Sequence, residues 1–277
     1  MVTLGLLTTA AAAGPADDDR KLDQHLRQRL SHSVDAAPLR VIVTVRPGAK
    51  QRGLLEALRA QGASITADFT IIDGLAGELS PAVVRWLAKH ADVVSIGTDA
   101  PITVAGIAAP VSGTAANADY SVPSTIGLPE FDCQRTGPTL GIAVIDSGLA
   151  NVPDLRGRIR AFRDFTQGGL PGLPQDPYGH GTHVAGLIAG NSSPTRGVAH
   201  GCNLIGLRVL DDQGAGKTSD VISALEWAVA NRTPYGISVV NLSLGHPVLE
   251  PAATDPLVQA VEAAVRAGLV VVVAAGN

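Results

Sequence analysis

The chain has 277 residues, 45% of them hydrophobic and only 3% aromatic, which is enough apolar material to bury a core and enough length for two domains. Its formal net charge is −4 and its Lys and Arg residues form no cluster, so neither a nucleic-acid partner nor a polybasic membrane surface is indicated. Cys133 and Cys202 are open to pairing in an exported product, although two free buried thiols are the favoured reading. Neither lies in a Gly-flanked turn or in the local signature of a thiol nucleophile.

Residues 1–16 contain an apolar run, 2–13, that is too short to span a bilayer. With Ala10 to Ala13 ahead of Gly14, it resembles a signal-peptide core and cleavage region that lacks the basic n-region. Export without a membrane span is therefore expected. A polar stretch of mixed charge, 17–33, follows. Residues 39–45 then read as a strand and 54–60 as a helix. Residues 64–72 and 75–79 read as two strands around the turn Asp73-Gly74, 82–89 as a helix after Pro81, and 93–96 as a last strand. This βαββαβ order predicts a small ferredoxin-like α+β domain over about 38–103. Residues 103–124 are rich in Ala, Gly, Pro and Ser, so 104–124 is assigned as an exposed linker suited to cleavage. From Thr139 onward strand and helix patterns alternate: 140–145, 184–189, 204–210, 221–230, 237–242, 257–267 and 269–274. The alternation predicts an α/β unit over 125–277, with a mainly parallel sheet and helices on both faces.

Three segments carry chemistry. Ala143-Val144-Ile145-Asp146-Ser147-Gly148 is an apolar run ending in an acid, the way a buried parallel strand delivers a carboxylate to the carboxyl edge of a sheet. In Gly179-His180-Gly181-Thr182-His183-Val184-Ala185-Gly186, His180 lies between two glycines at the start of an apolar helical pattern, free to project from the helix N-terminus as a base. The third segment is Ala274-Ala275-Gly276-Asn277.

In these blocks and their order the chain resembles the subtilisin-like serine proteases (subtilases). The resemblance implies that Asp146 orients His180, that His180 takes the proton of a nucleophilic serine, and that Asn277 donates to the oxyanion. It also implies that Ser243, Leu244 and Gly245, together with Gly214, Ala215 and Gly216, form two backbone edges that hold an extended polypeptide substrate. The small domain resembles the family's inhibitory propeptide, over 17–103, which serves the same chain as folding chaperone and temporary inhibitor. A tail ending near residues 99–103 would then occupy the substrate cleft as a product. The family's serine belongs to a Gly-Thr-Ser-x-Ala type segment beyond the oxyanion asparagine. None of Ser147, Ser219 and Ser243 matches it, and the chain is read as a fragment whose sheet is incomplete. A secreted endopeptidase zymogen is the expected parent.

Plainer readings exist for each feature. A lone strand-end Asp is more often a cap, and a lone Gly-flanked His more often structural; the ordered set favours the family. His183 is expected to pack structurally. His180 and His183 share a helical face, but the His-Glu-x-x-His pattern is absent and no third ligand is indicated, so zinc is not assigned. Gly214-Ala215-Gly216-Lys217-Thr218 invites a phosphate-loop reading, yet the loop's first glycine would fall at Asp211, beside Asp212, where carboxylates repel phosphate. No cofactor is assigned. Calcium often stabilises the family, but Asn191-Ser192-Ser193 lacks Asp-rich loop spacing. The alternative to an enzyme is a non-catalytic pseudoprotease that captures peptides or inhibits a related protease.

Overall fold

The computed structural model describes residues 17–32, 37–105, 140–192 and 196–276. Asn277, Cys133, the signal-like start and all but the first two residues of the assigned linker lie outside this range.

The first unit opens with α1 (Gln24–His32), capped by Asp23, whose Oδ1 accepts the Leu26 N–H at 2.6 Å. Sequence reading left this stretch as merely polar. Its apolar stripe is only one residue wide: Leu22 and Leu26 are buried and Leu30 is partly buried on the same core. Then come β1 (Leu39–Val45), α2 (Leu55–Ala60), β2 (Ser64–Phe69), β3 (Gly74–Leu79), α3 (Pro81–Lys89) and β4 (Val93–Thr98). The strands form an antiparallel sheet in the order β2-β3-β1-β4. β2 stops earlier than its pattern suggests because the chain turns back through Asp73, at φ +46°. α3 begins where Ser80 accepts the Val83 N–H at 3.3 Å and Pro81 fills the first helical position. The sheet has two apolar faces. Val41, Val43 and Val45 pack with Leu58, Val84 and Leu87, whereas Ile42, Phe69 and Ala76 join the core of the second unit.

The chain leaves this unit through β5 (Pro101–Val104). The second unit comprises β6 (Gly141–Asp146), β7 (Ile159–Asp164), β8 (Leu170–Pro171), α4 (His180–Ala189), β9 (Asn203–Arg208), β10 (Ala215–Lys217), α5 (Thr218–Ala230), α6 (Arg232–Tyr235), β11 (Ile237–Leu242), β12 (Leu244–Gly245), α7 (Pro256–Arg266) and β13 (Val270–Val273). Six strands build one sheet in the order β13-β11-β6-β9-β7-β8, parallel except for the short β7–β8 pair. Both faces are covered at the central strands β6 and β9, which are buried along their whole length, whereas Val270, Val272 and Val273 of the edge strand β13 are exposed. Along β6, Ala143 and Ile145 point toward α5 and α7, while Ile142 and Val144 point toward α4. The period of two therefore aims Asp146, the next residue in the second set, at the α4 side. The second unit is α/β, and the candidate site lies at the carboxyl edge of its parallel strands. No described helix is long and apolar enough to cross a membrane.

Candidate active site

Asp146 ends β6 fully buried, between β9 and β11. Its Oδ1 accepts the Ser147 N–H at 2.7 Å and lies 2.8 Å from His180 Nδ1. An ionised carboxylate only accepts, so Nδ1 carries the proton and Nε2 keeps a lone pair free to serve as a base. The hydrogen bond to Asp146 is the main reason that the His180 pKa lies above its ordinary value; burial opposes the shift, and the charges of Asp146 and Asp176 add to it. Imidazolium formed during proton transfer is thus stabilised in place.

The two glycines around His180 do different jobs. Gly179 starts α4 at φ +95°, where an L side chain would be strained. Gly181 has an ordinary conformation but no room: an added Cβ would lie 2.2 Å from the Gly148 carbonyl oxygen and 3.1 Å from Asp146 Cβ. Only hydrogen at this position lets the helix approach the strand end closely enough for the imidazole to reach the carboxylate.

The cleft beside this pair is filled by the chain itself. β5 lies between β10 and β12 as the middle strand of an antiparallel three-stranded sheet. Gly216 pairs with Ile102, Ala215 with Thr103, Gly245 with Thr103 and Leu244 with Val104. Ala105 continues the ladder by donating its N–H to the Ser243 carbonyl at 3.0 Å. Ser243 follows the Leu242–Ile145 pair of β11 and β6, so β5 runs toward the level of Asp146. The paired tail extends past the 99–103 end that the family resemblance implied, because β10, β12 and Ser243 supply hydrogen bonds as far as Ala105. Ile102 is fully buried with Val209, Leu210 and Ile222. Asp99 caps α5, accepting the Ser219 N–H and hydroxyl at 2.9 Å each, and Ala100 accepts from Thr218.

Of the two expected edges, Ala215, Gly216, Ser243, Leu244 and Gly245 all pair with or bond the tail. Gly214 does not; at φ +74° it closes the turn ahead of β10, with its N–H on the Asp211 carbonyl. The same turn argues against a phosphate loop, since Asp211 Oδ1 already accepts the Gln213 and Ala215 N–H groups. Ser147 and Ser219 are used as turn and helix-start partners. His183 differs from expectation: it is exposed, on the outer side of α4. Cys202 is buried, which pushes its thiol pKa up to about 11 and makes it a poor nucleophile. Among the described residues no group of three or more His, Cys, Asp or Glu could hold a metal ion. Near Asn191, the Asp154 carboxylate accepts the Asn191 N–H at 2.7 Å, and a hydrogen bond from Ser192 is the main cause of its lowered pKa. Sequence reading missed Asp176, which accepts from Ser147, Gly179 and Thr182 around the pair. Its position four residues before His180, just ahead of a helix start, was the available signal.

The site thus combines a parallel sheet presenting a buried acid to a helix-borne imidazole with two backbone edges that clasp an extended strand. The family model for subtilases matches residues 137–277, and the chain belongs to the subtilase family. Over 151 residues it is 41% identical to serine protease AprX of Bacillus subtilis (strain 168), covering 51% of this chain and 34% of that protein. It is 39% identical over 216 residues to the M-protease of Shouchella clausii (strain KSM-K16), covering 76% of this chain and 50% of the relative. Subtilisin E of Bacillus subtilis (strain 168) is 31% identical over 279 residues, covering 97% of this chain and 62% of the relative. The chain thus spans about one third to three fifths of the length of these relatives. Among solved structures, fervidolysin from Fervidobacterium pennivorans, a keratinolytic enzyme related to subtilisin, superposes with a TM-score of 0.64 at 20% identity, covering 89% of this chain and 41% of that one. That likeness speaks to the fold.

Proposed function

We propose that the whole protein is a secreted subtilisin-like serine endopeptidase made as a zymogen, with Asp146 and His180 as acid and base of an Asp-His-Ser triad. The observation that carries the reading is the 2.8 Å Asp146–His180 contact beside a cleft already holding an extended strand. In the mechanism, His180 Nε2 takes the proton of a serine hydroxyl as that oxygen attacks the peptide carbonyl, then passes it to the leaving amine. Asp146 holds the tautomer and balances the imidazolium. The nucleophile is assigned to a Gly-Thr-Ser-x-Ala type segment and to no serine of these 277 residues. Asn277 is assigned as the side-chain donor to the oxyanion, a role worth roughly 3 to 4 kcal/mol in subtilisin, where that magnitude was established.

Substrates are polypeptides, bound through backbone groups of Ala215, Gly216, Ser243, Leu244 and Gly245, which tolerates many sequences. Residues 17–103 act as propeptide, and β5 is the segment through which it inhibits. Occupation of both edges by residues 101–105 supports this, since a substrate strand would need the same hydrogen bonds. Maturation then separates the units in the segment that follows. N-terminal sequencing of active enzyme is expected to place the mature start within 104–124; a start before Val41 would contradict the propeptide assignment. The activity itself is tested by reading the source gene past the codon for Asn277 and treating its full product with a serine-directed phosphonate. Labelling that requires His180 is expected. A product that takes no label overturns the protease reading.

A further inference from the structure

The acid and the base lie on separate segments, 34 residues apart in sequence, and their contact depends on how firmly the end of β6 is tied to the start of α4. One side chain ties both. Asp176 Oδ1 accepts the Ser147 hydroxyl at 2.8 Å and the Gly179 N–H at 2.9 Å. Its Oδ2 accepts the Thr182 N–H at 2.7 Å and the Thr182 hydroxyl at 2.6 Å. The partners flank the pair on each side: Ser147 follows Asp146, while Gly179 and Thr182 bracket His180. Two further bonds close the loop. Ser147 Oγ accepts the Gly181 N–H at 3.0 Å, and Thr182 Oγ1 accepts the Ala150 N–H at 2.9 Å.

A helix cap needs only one or two bonds to the first N–H groups of its own helix. Asp176 does that through Gly179 and Thr182, but its bond to Ser147 reaches the neighbouring strand end, which no cap requires. Its negative charge also acts on His180, adding to that of Asp146 in raising the imidazole pKa.

We propose that Asp176 is a positioning residue for the Asp146–His180 pair, bridging strand end and helix start so that the imidazole stays in reach of the carboxylate. It touches neither substrate nor the transferred proton. The inference deepens the protease reading and rests on it for the kinetic consequence, but not for the geometry. Its loss lets the helix start drift relative to the strand, and misplacement of about 1 Å at a reacting centre costs on the order of a hundredfold in rate. Loss of the second anion also lowers the proton affinity of His180, as the charge of Asp176 now adds to that of Asp146 in raising it.

The test has two arms. In the first, His180 is titrated by NMR in this chain, as wild type, Asp176→Asn and Thr182→Val, with circular dichroism to confirm folding. The wild-type midpoint is expected above 6.5 and is expected to fall in Asp176→Asn. The Thr182→Val variant keeps the charge but loses one bond, so its midpoint should move less. An unchanged midpoint in folded Asp176→Asn overturns the proposal. In the second arm, the full gene product is assayed on a chromogenic peptide. A kcat loss of about 10- to 100-fold with KM changed less than about threefold is expected for Asp176→Asn, and the acid limb of the pH profile should move to lower pH. Wild-type kinetics in a less stable Asp176→Asn protein would mean a purely structural cap and overturns the proposal. Absence of hydrolysis by the wild-type product fails the protease reading instead, while the titration still judges the bridge.

Discussion

At the scale of the residue, the site depends as much on missing atoms as on functional groups. Gly181 keeps the base near the acid because any Cβ would meet the Gly148 carbonyl at 2.2 Å. Gly181→Ala is therefore expected to destabilise the protein by about 1–3 kcal/mol, read from a urea midpoint. Because the backbone can yield only by moving α4 away from β6, the same change should weaken the Asp146–His180 hydrogen bond, seen as a lower His180 titration midpoint. The pH dependence of catalysis follows from the same pair. A base must be neutral to accept a proton, and His180 has its pKa raised, chiefly by the hydrogen bond that it donates to Asp146. Activity is expected to disappear on the acid side with an apparent pKa above 6.5, measured as kcat/KM against pH. An acid limb below that value would show that the carboxylate does not stabilise the imidazolium.

At the scale of the element, β5 is the hinge of the account. It has four residues and no strand-like pattern, yet it is paired on both sides. Its anchor is Ile102, buried within the second unit's core. Ile102→Ala should cost about 2–4 kcal/mol of stability, read as a lowered melting temperature, and should loosen the tail from its cleft. This element also shows where sequence reading stops. The parallel strands were legible because 140–145, 204–210 and 237–242 are mostly apolar and alternate with helical patterns, and Asp146 and His180 because their blocks occur together in order, neither residue being informative alone. β5 was legible only through the family resemblance, as a tail lying in a cleft, since its hydrogen bonds come from strands more than 100 residues away. β7, with charged residues interrupting Ile-Arg-Ala-Phe-Arg-Asp, went unread because Arg160 and Arg163 find partners in Asn203 and the Gly169 carbonyl that local sequence does not reveal. Asp176 was passed over for the same reason: its meaning lies in Ser147, on another element.

At the scale of the whole molecule, the two units meet through acids held in unfavourable surroundings. Burial, first of all, pushes Glu250 up to about 7, with Asp23 of the small unit and Asp255 adding to the shift while His246 and the Thr254 hydrogen bond oppose it. Burial likewise pushes Asp220 up to about 6, with Asp99 and Asp164 adding and Lys217 and Arg40 opposing. The folded molecule therefore holds protons that the unfolded chain has already released, so stability falls as pH rises from about 4 through 7. Histidines 180 and 246, with raised pKa values, act in the same direction, losing their contribution as pH rises through those values. Melting temperature should thus be higher at pH 5 than at pH 8, and Glu250→Gln should flatten the difference. Equal values at the two pH points would contradict this assignment of the junction. The central claim, that Asp146 and His180 are the working acid and base of a subtilase whose own strand fills its cleft, is tested most directly by peptide hydrolysis. The full gene product, freed of its N-terminal unit, is to be assayed as wild type and as His180→Ala. The account predicts hydrolysis by the wild type and a loss of about a millionfold in turnover for the variant, the magnitude established for the corresponding histidine in subtilisin. Equal turnover by the two proteins would contradict it.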